Sequence, residues 1–508
     1  MLPDDVLLEI FGFHADEAVD EVVDEAVDEV VDEAINEAMD KDTSVDRDTI
    51  KKSTIEEWIT LAHVCRRWRS VIFQSPRRLN LRLLCTPKTP AEDTLEIWPP
   101  LPLVVVDLFG VLADNILAAL EHNNRVCQIE LRCYSGSELE YYTNSAAMQK
   151  PFPELTHLRL NMYGYYRSGS TLPDSFLGGN APRLRSLALD EVAFPGLPKL
   201  LLSATHLVKL YLFNIPRSGY VPPEAMATSL SALTNLDHLV LCFEFPRPRP
   251  ALESRRPYPP PLTRPILPRL TNIQFRGASE YLEEILARID APRLDGFHIT
   301  FFNQIMFDTP QLFQFISRRP ALRAPQKGHM VFNSKDIVVK FQSQTSDYDR
   351  LSVKILCSAS DWQLSSIEQV CTSSLPPLST LEDLYIFESR KYPPLWQADV
   401  ENTLWLVVLH PFAAVKNLYL CEKIASHIAS ALQELVGART TEELPTLENI
   451  FLEGLQPSGS VQEGIEKFLT ARQLTGRPIA VSRWDRNPSE FRYPYYFAMP
   501  EPWSLTLL

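Results

Sequence analysis

The residues best suited to catalytic or metal chemistry in this chain are its ten histidines and eight cysteines. No histidine stands beside a plausible nucleophile, and no HExxH, GxSxG, Walker A or GxGxxG pattern occurs. The cysteines fall at 65, 85, 127, 133, 242, 357, 371 and 421 without a CxxC pair. Cys127 and Cys133 therefore read as core packing ahead of zinc ligation. Carboxylates crowd the stretch ADEAVDEVVDEAVDEVVDEAINEAMDKD, but in a four-residue period and not in the D-x-D-x-D-G order of a calcium loop. Arg66, Arg67 and Arg69 form a basic cluster, which reads as a solvated helix face before a nucleic-acid patch. The expectation is a chain without catalytic residue, cofactor or metal. An enzyme with an unfamiliar site stays open as a reading, since catalytic groups can assemble from distant positions.

What remains is the chemistry of recognition, and a repeat supplies the elements to position it. The pattern L-x-x-L-x-L recurs at Val126-Ile129-Leu131, Leu155-Leu158-Leu160, Leu184-Leu187-Leu189, Leu207-Leu210-Leu212, Leu236-Leu239-Leu241, Leu270-Ile273-Phe275 and Leu294-Phe297-Ile299. After a gap it returns at Leu381-Leu384-Ile386, Val415-Leu418-Leu420 and Leu447-Ile450-Leu452. Alternation of this kind puts leucines on one face of a short strand, and stacked strands share one core. Irregular recurrence over most of the chain is the signature of leucine-rich repeats. EYLEEILARI and EKIASHIASALQELVG read as helices covering the convex side. Between 300 and 381 the runs DIVVKFQS and RLSVKILCSA suggest that degenerate repeats continue, and RPIAVSRWD reads as a capping strand. The residue between the last two leucines points out of the opposite face. Arg159, Tyr211, Gln274, His298, Tyr385, Tyr419 and Phe451 hold that place, and they are the candidate partner-binding residues. Tyr and Arg are frequent interface anchors. The alternative is that they only cover a solvated sheet.

Composition bounds the remaining classes. The chain has 508 residues, 45% of them apolar, and a net charge of −15. Residues 15–48 carry −13 of it, so the rest is nearly neutral. Neither part has the basic footprint that nucleic-acid binding requires, and no nucleic-acid partner is expected. Leu101–Leu120 is the most apolar window, but Asp107, Asp114 and Asn115 interrupt it, so no membrane span is expected. MLPDDVLLEI lacks the basic start of a secretory leader. Dispersed cysteines in a long chain fit a reducing compartment, cytoplasmic or nuclear.

Two amphipathic helices are expected near the start. In the first, Pro3, Asp4 and Asp5 suit the opening turn, and Leu7, Ile10 and Phe11 share a face. The second is expected as one helix from Ile55 to Phe73, with Trp58, Leu61, Cys65, Trp68 and Ile72 in a stripe. The acidic repeat between them drifts about 40° per four residues and presents no stable apolar face, so a frayed helix or a disordered loop is expected there. The segments Leu2-Pro3 with VLLEIF and LAHVCRRWRSVIF resemble an F-box. The matching positions are Leu2, Pro3, Leu7, Leu8, Ile10, Phe11, Val64, Cys65, Arg66 and Trp68. The continuation SPRRLNLRLLCTPKTP is similar to that of F-box proteins of mushroom-forming fungi. The resemblance implies that these residues dock a Skp-family adaptor of a cullin–RING ubiquitin ligase, and that the repeats hold a protein target.

The expected fold is α/β: a short helical F-box followed by an irregular leucine-rich-repeat solenoid with a curved parallel sheet. Residues 1–75 would form the F-box with its acidic insert at about 15–48. Residues 76–125 would be a linker and cap, 126–482 the solenoid with a Pro/Arg-rich loop at 246–268, and 483–508 a tail. The expected function is substrate recruitment to the ligase by proximity, without catalysis by this chain. The alternative is a repeat scaffold whose F-box is non-functional.

Overall fold

The computed structural model describes residues 3–11, 57–75, 79, 81–107, 114–162, 170–244, 264–302, 307–343, 349–357, 359–375, 378–394, 396, 402–435, 442–454 and 460–485. The acidic insert, Leu2, most of the Pro/Arg-rich loop and the tail beyond 485 lie outside these residues. The described residues fall into two compact units. One holds residues 3–162 with 175–179, and the other holds 170–174 with 180–485.

The first unit opens with three short helices: α1 (residues 4–11), α2 (Glu57–Val64) and α3 (Arg66–Gln74). The single helix expected over Ile55–Phe73 is thus two. Cys65 adopts an extended backbone (φ −158°, ψ 167°) and caps α3, its Sγ accepting from the Trp68 N–H at 3.4 Å. That one extended residue satisfies an orphan donor and breaks the helical phase between α2 and α3. A parallel sheet follows, in the order β1 (Leu83–Cys85), β2 (Leu103–Asp107), β3 (Val126–Cys133) and β4 (His157–Met162). The ladder therefore begins upstream of the first recognised repeat. The helices α4 (Ala91–Ile97), α5 (Asp114–Glu121) and α6 (Gly136–Thr143) belong to the same unit. Ser135 caps α6 by accepting from the Glu138 N–H (3.2 Å), and the Glu138 carboxylate accepts from the Tyr134 N–H (2.6 Å). The buried Tyr142 hydroxyl donates to Asp107 at 2.9 Å and ties α6 to the end of β2.

The second unit carries a small pair, β5 (Ser170–Thr171) with β7 (Val192–Ala193), and a long sheet. The sheet runs from β6 (Ser186–Asp190) through β8 (Lys209–Ile215), β9 (His238–Phe243) and β10 (Asn272–Gly277) to β11 (Gly296–Phe302), all parallel. It closes with β15 (Asp383–Glu388), β16 (Asn417–Leu420), β17 (Asn449–Glu453) and β18 (Ala480–Trp484), again parallel. Every leucine-pattern residue lies on or just before one of these strands or their counterparts in the first unit, and none is more than 4% exposed. Full burial of each such side chain stabilises by about 1.5–3 kcal/mol, and this repeated burial defines the core.

The interval 300–381 differs from the expected run of degenerate repeats. The chain leaves β11, skips two strand positions and forms β12 (Lys327–Phe332) beside β15. It then returns antiparallel as β13 (Asp336–Gln342) and turns again as β14 (Leu351–Leu356), which pairs parallel to β11. Both hairpin strands alternate apolar residues as repeats do, but β13 runs antiparallel to both of its neighbours, β12 and β14, which a stacked repeat strand would not.

The helices α7 (Leu197–Ser203), α8 (Pro223–Ser231), α9 (Ser279–Leu286), α10 (Pro310–Ser317), α11 (Pro320–Arg323), α12 (Ser360–Gln369), α13 (Asn402–Leu409), α14 (Glu422–Gln433) and α15 (Ser460–Leu474) lie between strands. Adjacent helices pack side by side on the leucine face of the sheet. Neighbouring repeats also cap one another: the Glu283 carboxylate on α9 accepts from the Gln311 and Leu312 N–H groups (2.8 and 2.7 Å) at the start of α10. Among the described residues no helix is long and apolar enough to cross a membrane.

Candidate functional site

The helix-free face of the second unit carries one continuous row of side chains, fixed by strand register. Ala188, Tyr211, Val240, Gln274 and His298 stand opposite one another on β6, β8, β9, β10 and β11. Ser352, Lys340 and His329 continue the row through the antiparallel insert. Tyr385, Tyr419, Phe451 and Ser482 complete it on β15 to β18. The reversal of β13 does not interrupt the row, because directly opposed residues share a face in either strand direction.

Burial divides the row. Tyr211, Val240, His298 and His329 are buried, whereas Gln274, Tyr385, Tyr419 and Phe451 are half-exposed. In the first unit Arg159 is also buried (5% exposed), with its Nη1 3.8 Å from the Glu130 carboxylate that Arg132 holds at 3.1 Å. Arg159, Tyr211 and His298, expected at an interface from their place in the repeat, thus make internal contacts. The accessible partner-binding candidates are Gln274, Tyr385, Tyr419 and Phe451.

The last three form a stacked ladder. Ring centroids lie 4.1 Å apart for Tyr385–Tyr419 at 9°, and 4.4 Å apart for Tyr419–Phe451 at 8°. His329 extends it, 4.7 Å from Tyr385 at 26°. Trp484 on β18 leans back across the row, 5.6 Å from Tyr419 and 5.8 Å from Tyr385. Equal register on parallel strands about 4.8 Å apart forces this near-sandwich geometry. At the strand entrances a polar ladder runs alongside: Asn449 Nδ2 donates to Asn417 Oδ1 (2.8 Å), and Asn417 Nδ2 to Asp383 Oδ1 (2.7 Å). The rings occupy each other's faces, so the surface offers aromatic edges and one tilted indole. Such rigid, amphipathic groups suit protein recognition at little entropic cost.

A polar cluster lies next to the ladder. Lys340 Nζ is 2.7 Å from Asp349 Oδ2, and Gln342 donates to the same carboxylate at 2.9 Å. Burial, with a smaller push from Lys340, lowers the pKa values of His298 and His329 to about 4, against a partial offset from Asp349. Lys327 adds to the push on His329. Both rings are therefore neutral at pH 7. His329, Trp484, Lys340 and Asp349 were not among the sequence candidates. His329 lies in KGHMVF, outside any leucine pattern, and only the pairing of β12 with β15 brings it to the row.

Of the F-box positions, Leu7, Leu8 and Phe11 are buried in their module, with Phe11 4.8 Å from half-exposed Trp68, edge to face. Asp4 holds Arg67 at 2.6 Å, which fixes α1 against α3. Pro3, Ile10, Val64, Cys65 and Arg66 are exposed, and Val6 joins Ile10 on the open side of α1. Arg67 serves α1, and Arg69 Nε donates to the Ala62 carbonyl at 3.0 Å.

Burial pushes the Cys133 and Cys242 thiols up to about 12 and raises Cys127, whose Sγ donates to the Leu103 carbonyl. Among the described residues no group of three or more His, Cys, Asp or Glu could hold a metal ion. A cavity between sheet and helices of the second unit is lined by apolar residues such as Leu189, Phe194, Leu212, Met226 and Phe243, and has no convergent polar groups.

No protein-family description matches the chain, and no curated protein matches it. Among solved structures, the leucine-rich repeat-containing protein LegL7 from Legionella pneumophila is similar, with 12% sequence identity and a TM-score of 0.24. That match covers 76% of this chain and 97% of the other.

Proposed function

We propose that this protein is a leucine-rich-repeat interaction scaffold that holds a protein partner on the helix-free face of β15 to β18. The observation that carries this reading is the half-exposed Tyr385–Tyr419–Phe451 ladder with Trp484 leaning over it. A solvated sheet that only needed covering would be served by polar or β-branched residues. Three rigid rings in register, flanked by a fixed Asp–Asn–Asn ladder, concentrate large contact area at one end of the face. The test is capture of a partner with the whole chain as bait. Alanine at Tyr385, Tyr419 and Phe451 together is expected to abolish capture of a partner that the intact chain retains. Equal capture by a folded triple variant would reject this surface.

The finer part of the proposal is that the N-terminal module joins this scaffold to a Skp-family adaptor of a cullin–RING ligase in the cytoplasm or nucleus. The F-box resemblance motivates it. Its support is a helical module closed by Phe11–Trp68 and Asp4–Arg67, with Val6, Ile10 and Val64 left facing solvent. Docking would use these exposed residues, while Leu7, Leu8 and Phe11 would act by keeping the module folded. The chain would then work by proximity and supply no catalytic group of its own.

A further inference from the structure

Among the described residues, nothing pairs with or covers the far end of the second unit in either of its layers. β18 pairs with β17 on one side, and no described residue pairs with its other edge. Val481 is 37% exposed, although its register partner Ile450 is fully buried. Leu474, at the end of α15, is 84% exposed. The row of outward backbone groups is also defined. The Ala480 N–H donates to the Glu448 carbonyl at 2.9 Å, so the alternation of a parallel ladder turns Ser482 and Trp484 toward β17 as well. Val481 and Arg483 then direct their N–H and C=O groups outward.

We propose that this edge pairs with the same edge of a second copy of the chain, antiparallel about a two-fold axis at Ser482. The outward residues sit symmetrically about Ser482, so Val481 of one copy meets Arg483 of the other, twice. Each such pair exchanges both of its backbone hydrogen bonds, and all four outward donors and acceptors of a copy are satisfied. On the helix-free face the small Ala480 lies opposite the large Trp484 of the second copy. On the other face exposed Val481 gains the alkyl stem of Arg483 as cover. A free strand edge is a template for another strand, and this one carries no lysine or proline among its five residues to block it.

Sedimentation velocity of the full chain, from about 1 to about 200 µM, tests this. The expected result is a weight-average mass that climbs from the monomer value toward twice that value. Arg483→Pro removes an outward donor without removing a bond to β17, and Val481→Lys places a charge beside the edge. Both variants are expected to stay monomeric over the whole range with unchanged circular dichroism. If Arg483→Pro fails to fold, Val481→Lys alone decides. A wild-type chain that remains monomeric overturns the proposal, as does a dimer that persists in the folded variants.

Discussion

The two neutral histidines beside the aromatic ladder make the second unit sensitive to mild acid. His298 and His329 are 9% and 7% exposed, and their pKa values are lowered from 6.5 to about 4. In the unfolded chain each binds a proton as the pH falls through about 6.5. In the folded chain each resists protonation until about 4. The unfolded state therefore binds more protons between those values, and stability falls as pH falls. The contribution is intact above about 6.5 and is fully lost below about 4. At pH 5 the linkage relation gives about 2 kcal/mol per histidine, or about 4 kcal/mol for the pair, as an order of magnitude. Protonated rings would also meet Lys340, with only Asp349 to offset it. Hydrogen exchange of the β11 to β14 peptides, compared at pH 7.5 and 5.0 after correction for intrinsic rates, reads the local opening free energy. The His298→Gln/His329→Gln variant isolates the contribution of these two groups from that of the rest of the unit. Wild type is expected to lose several kcal/mol more than the variant over that interval. Parallel losses in the two proteins would refute the reasoning.

Two further outcomes follow from burial. Leu418→Ala empties a site that is 0% exposed and should destabilise the second unit by about 2–5 kcal/mol in denaturant titration, whereas Leu202→Ala, at a side chain 51% exposed, should change stability by less than about 0.5 kcal/mol. Among the eight cysteines only Cys65 is exposed, so brief alkylation of the native chain should label Cys65 first, with peptide mapping showing Cys85, Cys133, Cys242 and Cys371 labelled only after unfolding.

The leucine strands were legible because a period of two with leucine on one side requires the same thing in any context: a buried face. All ten motifs lie where that argument puts them. Strand direction is a different matter. KGHMVF and DIVVKFQ alternate like any repeat strand, and nothing in a period of two says that β13 runs backwards or that β12 lies beside β15. The first two strands escaped for a related reason. In β2, Leu103, Val104 and Val105 are all buried, so this strand shows no period of two to read. At Cys65 the helical stripe continues in the letters although the backbone does not, because the spacing rule assumes a helix and does not test for one. The site shows the same limit. Tyr385, Tyr419 and Phe451 could be assigned to the helix-free face from their place between leucines, and register then stacks them. Arg159, Tyr211 and His298 occupy the same place, yet exposure depends on what neighbouring strands present, which spacing does not encode. Trp484 belongs to the final strand and reaches the ladder only by leaning across two others.

The most direct test of the account is co-expression of the intact chain with a Skp-family adaptor, followed by purification through the adaptor. The informative comparison is Ile10→Asp with Val64→Asp, at side chains 42% and 59% exposed, which should leave the module folded. The account predicts a one-to-one complex with the intact chain and none with the double variant, while both give the same circular dichroism. Failure of the folded intact chain to bind, or equal binding by the variant, would contradict the adaptor reading and leave a repeat scaffold that works outside the ligase.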